Sequence, residues 1–533
     1  MGGSKLILLF HTLKFLRFKQ VYYRLIYFFR NKFFKRKYDA VIPKELSILA
    51  WEGGIINPLS YHRKDNFQFL NLSKHFEETV DWNFGNYGKL WTYNLNYFDF
   101  LHQYQISVEE GLALIKNYVA QDDTLKDGLE PYPISLRGIN WIKFLSKNGI
   151  VNTKVNTKLY HHYLRLKDNL EYHLLGNHLL ENGYSMLFGA YYFKNEEFYD
   201  IAYKILKEEL HEQVLDDGAH YELSPMYHQI LLHRLLDCIN LINQNPWKND
   251  DLNSFMNRKA NKMLGWLEAV TYDNGNIPMV NDCAYDIAPS SKQLFDYADY
   301  LKISFNKVDL RASGYRKHIT KDYELFVDVG NVGPDYQLGH AHSDTLSFEL
   351  YVNRKPVLVD TGTSTYEKNA IRQAERGTAA HNTVKIDEYE QSEIWGGFRV
   401  ARRAKVRITE ETESQVTAGH TGYKKLGLTH LRKFEAQHEN IVVHDWINST
   451  RSDLPRQHAF FHFHPDIDEL VISGNKVVLP SKRIEFLFSG TILTIEKTYY
   501  QYAIGFNKTL RAEKIMVNFS KELRTQINIL SEK

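Results

Sequence analysis

Two histidines and an aspartate at alternate positions, His340, His342 and Asp344, open the stretch GHAHSDTLSFELYVNRKPVLVDTG. Alternate residues of an extended chain point the same way, so spacing alone predicts one three-ligand cluster. Asp360 ends the apolar run that follows, and His381 comes next in TAAHNTVKID. Two imidazoles and one carboxylate, with a fourth position open or filled by water, suit zinc, which takes nitrogen and oxygen ligands in tetrahedral geometry. The chain has two cysteines, Cys238 and Cys283. A disulfide scaffold is therefore excluded, and any metal must be held by histidines and carboxylates.

Two further clusters hold groups that move protons or bind anions. LLGNHLLENG carries Asn177, His178 and Glu181, and the last two share one face if the segment is helical. HYELSPMYHQI sets Tyr221, Glu222, Tyr227 and His228 around a Ser-Pro break. Each cluster has a plainer reading. An Asn-His pair also occurs at helix caps, and a Tyr-His pair also occurs in packing.

These residues need elements to hold them. From about 40 to 300, Leu and aromatic residues recur at spacings of three and four, as in INWIKFLSKN and EEFYDIAYKILKEELHEQVL. Many helices of that length predict a helical solenoid or toroid. From about 305 the period falls to two, as in DYELFVDVG, TLSFELYVN and NIVVHDWIN, which predicts an antiparallel β-sandwich. VNRKP and ISGNKVV read as hairpin turns. The predicted division is 1–40, 41–304 and 305–533, an α+β multidomain chain whose active site falls at the junction of its two large parts.

The 533 residues are 43% hydrophobic and 24% charged, with a net charge of +2. That composition is globular and gives no case for nucleic-acid binding. Aromatics make up 14%, a supply of flat faces for stacking on sugars or simply an aromatic core. The first 40 residues hold ten Lys/Arg and one acid, Asp39. Cations recur too often for a membrane span, and no signal-peptide cleavage pattern follows. The segment reads as a basic amphipathic helix, either docked on an anionic membrane surface or partner, or packed on the body. The localisation expected is bacterial, cytoplasmic or peripheral to the inner face of the membrane. Oligomeric state is not legible.

The ordered set LWTYNLNYFDF, EPYPISLRGINWIKFL, GNHLLENG, ELSPMYHQI, GHAHSDTLSFELYVNRKPVLVDTGTSTYE, AAHNTVKID and QSEIWGGFRV resembles the heparinase II/III-like polysaccharide lyases, over about 85 to 405. The resemblance implies an incomplete α/α toroid followed by an antiparallel β-sandwich. It also implies β-elimination at a uronic acid of an anionic polysaccharide. By motif, Asn177 and His178 would meet the uronate carboxylate, and Tyr227 and His340 would transfer protons. His342, Asp360 and His381 would hold a structural zinc, which leaves Asp344 as a turn or outer acceptor. Glu181 matches an acidic position of the Asn-His motif. Softer candidates for sugar subsites are Tyr93, Asn94, Tyr97, Arg137, Trp141, Arg376, Trp395 and Arg399. A uronate C5-epimerase would need the same carboxylate neutralisation and proton abstraction. A non-catalytic glycan-binding protein is the third reading. The N-terminal segment resembles that of family members linked to exopolysaccharide production.

Overall fold

In a computed structural model that describes residues 2–34, 36–43, 46–449, 451 and 453–530, two helices come first, α1 (Gly2–Leu13) and α2 (Phe18–Phe33). The single amphipathic helix expected here is thus broken at 14–17; Lys35 lies outside the described residues. The described part of 41–88 holds no helix, although a helical period is expected from about 40. Gly53 and Gly54 both take positive φ, as do Arg63, Lys64 and Asp65, and such backbone cannot continue a right-handed helix. Asn66–Phe69 and Leu72–His75 pair there as a hairpin.

Nine helices then follow among the described residues: α3 (Lys89–Tyr97), α4 (Val108–Ala120), α5 (Pro131–Lys147), α6 (Thr153–Asp168), α7 (Gly176–Phe193), α8 (Glu196–Gln213), α9 (Pro225–Gln244), α10 (Leu252–Val270) and α11 (Ser291–Tyr300). Their starts have local causes. Ser107 and Glu110 form a reciprocal capping box on α4, Asn195 caps α8, and Ser224 with Pro225 opens α9. The incomplete α/α toroid grows by pairing near neighbours. α5 packs on α6 and α7, α7 on α8 and α9, and α9 on α10 and α11. Every residue of α7 is buried except His178.

The β-sandwich begins with an antiparallel meander of Tyr315–Ile319, Tyr323–Asp328, Phe348–Val352 and Lys355–Leu358. A larger antiparallel sheet faces it, built on Ile484–Gly505 and Lys508–Ile529, which pair along nearly their whole length. RIEFLFSG and TILTIEKTYYQYA, two strands by sequence period, form one bulged strand through Gly490. A short helix, α12 (Ala370–Glu375), connects the sheets.

The meander is buried on both faces. Tyr323, Leu325, Val327, Phe348 and Leu350 enter the sandwich core, while Phe326 and Tyr351 enter the helical core. Tyr351 stacks on Tyr272 at 3.8 Å, and the Tyr272 hydroxyl donates to Glu349. The two halves therefore share one sheet, and the loop 329–347 leaves that sheet directly over the helices. Phe326→Ala should lower unfolding free energy by about 3–5 kcal/mol in urea titrations.

Candidate active site

The chain enters α7 through Leu175 and Gly176, both at positive φ. A Cβ on Gly176 would stand 2.9 Å from Glu222 Oε1, so glycine permits the carboxylate's approach. The Asn177 N–H donates to that same oxygen at 3.1 Å. Asn177 Oδ1 is buried without a hydrogen-bond partner, its Nδ2 donates to no described residue, and the residue is only 3% exposed. His178 Nδ1 bonds Glu171 at 3.0 Å, and its ring lies 4.8 Å from Tyr132. Burial would lower the His178 pKa, but Glu171 overcomes it and the net shift is upward. In α9, Ser224 accepts from the Tyr227 N–H and Pro225 sets the first turn, which carries Tyr227. The N-termini of α7 and α9, with their partial positive charge, thus open on one site.

The sheet half delivers His340 to the same place. Its Nδ1 donates to Glu222 Oε2, and its ring lies parallel to the Tyr227 ring at 3.9 Å. In the neutral imidazole this contact places the proton on Nδ1 and leaves Nε2 as an acceptor. Burial would raise the Glu222 pKa, but His340 and His220 bring it down to about 2. The Tyr227 hydroxyl meets that of Tyr366 at 3.2 Å. Burial, reinforced by Tyr366 and Asp282, pushes the Tyr227 phenol well above its ordinary value, so it is protonated at neutral pH.

His342 faces another environment. It is fully buried, and its Nε2 donates to Asp282 at 2.9 Å. Asp282 also pairs with both terminal nitrogens of Arg372, and its N–H donates to the His340 carbonyl. The sequence alternation fails because 339–347 is not a strand; Leu346 has positive φ, and pairing starts at Phe348. The His342 and His381 rings lie 5.3 Å apart, and His342 Nδ1, His381 Nε2 and Asp344 Oδ2 are buried without partners. His381 Nδ1 bonds Asp360 at 2.6 Å. Among the described residues no three His, Cys, Asp or Glu side chains stand as a completed metal-ligand set. The unpaired nitrogens and carboxylate oxygen nevertheless suit a cation better than an apolar core, which would leave them unpaired.

The sugar-subsite candidates divide. Tyr93, Tyr97 and Tyr132 form an aromatic series that ends on His178. Asn94 bonds back to Leu90 within α3. Four candidates are core instead. Arg137 is fully buried and donates to the carbonyls of Asn96 and Gly128, and Trp141 packs on Phe98 and Tyr118. Arg376 donates to the carbonyls of Ala341 and Gly397, and Glu181 is buried beside Arg234. Trp395 donates to Thr12 of α1, with Arg399 over its ring, so both face the N-terminal helices. Phe398, between them in sequence, turns the other way and packs on Tyr366. Sequence reasoning missed Glu171, Tyr132, Asp282, Tyr366 and Arg372; only Glu171 stands within ten residues of its partner histidine.

Burial pushes the Glu181 carboxyl up to about 7, against the opposing charge of Arg234. Stability from this raised pKa is present below about pH 4.5 and is lost as pH rises through about 7. Glu181→Gln removes that loss. Its denaturation midpoint should fall less between about pH 5 and 8 than that of the unsubstituted protein.

Comparison with known proteins places this geometry. Residues 147–310 match the family described as Heparinase II/III N-terminus, and 303–530 match Heparinase II/III-like, C-terminal. A heparin-sulfate lyase of Bacteroides stercoris is 26% identical over a 251-residue alignment that covers 40% of this chain and 36% of that protein. The chain thus spans about a third of the length of this curated relative. A crystal structure of heparinase III superimposes with a TM-score of 0.63 at 16% identity, covering 86% of this chain and 80% of that one. The heparan sulfate lyase HepC of Pedobacter heparinus gives 0.55 at 16% identity, covering 96% and 88%. The two family matches, in order and together spanning 147–530, show that the chain belongs to the heparinase II/III-like family.

Proposed function

We propose that this chain is a polysaccharide lyase that cleaves a uronic-acid-containing glycan by β-elimination. One observation carries the reading: the parallel Tyr227–His340 pair, backed by Glu222, beside an Asn177 amide without a protein partner. The carboxylate of a uronate resists loss of the C5 proton until its charge is met. The Asn177 amide and the N-termini of α7 and α9 supply that stabilisation as the enolate develops. His340 Nε2 then takes the C5 proton. The C5–H electrons form the C4–C5 double bond, the C4–O bond breaks, and the protonated Tyr227 gives its proton to the departing oxygen. His340 returns the gained proton through the stacked pair or solvent. Because the two rings are stacked, both transfers occur on one side of the sugar. His178 with Glu171 is a second imidazole–carboxylate pair at the site, and it supports C5-epimerisation as a second reading.

The relative's name makes heparan-type glycans the first substrates to try, followed by other uronate polymers. Products should absorb in the ultraviolet as 4,5-unsaturated uronates. Tyr227→Phe and His340→Ala should each lose roughly 100- to 10,000-fold in rate. Deuterium entering C5 without chain cleavage would establish the epimerase instead. Unchanged glycan processing by both variants would leave only glycan binding. The setting we propose, on the N-terminal resemblance alone, is exopolysaccharide metabolism.

A structural zinc held by His342, Asp360 and His381 is part of this proposal. Its support is the unpaired, buried Nδ1 of His342, on a ring 5.3 Å from that of His381, together with the Asp360 carboxylate already set against His381 Nδ1. Bound there, zinc would supply no step of the reaction but would tie the His340 loop to the sandwich. Metal analysis of the pure protein should find about one zinc per chain, and chelation should lower the melting temperature. A metal-free protein with an unchanged melting temperature would remove zinc from the account.

A further inference from the structure

α2 is amphipathic in reverse: its hydrogen-bonding side faces the protein and its apolar side faces out. Gln20, 1% exposed, donates to the Leu174 carbonyl, and Tyr27 donates to that of Leu170. Arg30 reaches the Asp168 carbonyl, and Arg17 pairs with Glu212. On α1, Thr12 accepts from Trp395 of the sheet half. These bonds fix the roll of both helices. The opposite face of α2 presents Phe18, Tyr22, Leu25, Phe29 and Phe33, spaced by three or four residues, and Phe18 is 83% exposed. α1 continues the surface with Leu6, Phe10 and Leu13. Exposed apolar residues gathered on one helix face in this way mark an interaction site.

Its charge selects the occupant. Lys5, Lys14, Lys32 and Lys37 make no ion pair with any described residue. Arg24 lies close enough to Arg399 for the two cations to repel. A second copy meeting this face would bring Lys5, Lys14 and Lys32 against the same three cations. No described helix is long and apolar enough to cross a membrane. We propose that the outer faces of α1 and α2 seat on an anionic phospholipid bilayer. Their aromatic and Leu side chains enter the acyl boundary, and the lysines meet headgroups. The inner contacts of α2 include the 168–174 turn that precedes Asn177, and those of α1 include the strands flanking Phe398. The enzyme would therefore lie on the membrane with both halves of its site held from that side.

The test is sedimentation of the full chain with vesicles of phosphatidylcholine alone or with about 30 mol% phosphatidylglycerol. Binding should require the anionic lipid and weaken with added salt. A triple variant, Phe10→Ser, Phe18→Ser and Phe29→Ser, and a charge variant, Lys14→Glu with Lys32→Glu, should each bind at least about tenfold more weakly. These side chains are exposed, so circular dichroism and melting temperature should not change. Failure to bind anionic vesicles, or unaltered binding by both variants, overturns the proposal. A stable dimer that the triple variant turns into monomer also overturns it, in favour of a second copy.

Discussion

The Glu222 carboxylate ties the two halves of the molecule at the one place where chemistry is assigned. One oxygen accepts the backbone N–H of Asn177 at the start of α7; the other accepts Nδ1–H of His340 from the sheet half. A buried carboxylate is unfavourable unless its oxygens are satisfied, so both partners must be in place together. The turn that would bind a uronate carboxylate and the imidazole that would take its proton are thus positioned by one group. Gly176 matters for the same reason, since a side chain there would press on that oxygen.

Glu222 works only because the surrounding elements cannot drift. The meander is packed on both faces, which couples the helical and sandwich cores through one sheet. Asp282 fixes the far side of the His340 loop through its N–H to the His340 carbonyl and its ion pair with Arg372. Arg372 in turn lies over the rings of Tyr366 and Phe398, next to the Tyr227 hydroxyl. A charged group buried this deeply holds its position only with its partner present, which makes the loop rigid.

Periodicity was enough to divide the chain into helices and strands, because core faces repeat at 3.6 and 2. It failed where backbone sign matters, as at Gly53, Gly54 and 63–65. The motif residues Asn177, Tyr227 and His340 were legible because unusual polar types recur in short strings. Their supports were not. Tyr366 reaches Tyr227 across 139 positions, and Glu222 reaches His340 across 118, distances no local pattern encodes. Arg137 read as a ligand contact because a lone guanidinium suggests one; nothing local reveals that the Asn96 and Gly128 carbonyls need its donors.

The central claim is that Glu222 holds His340 as a base with Nε2 open to substrate. Glu222→Gln keeps the shape and removes the charge. The decisive measurement is the kcat and KM of this variant for release of unsaturated uronate from the polysaccharide that the unsubstituted protein cleaves. The account predicts kcat lower by at least about tenfold with KM nearly unchanged. A kcat equal to that of the unsubstituted protein would contradict it.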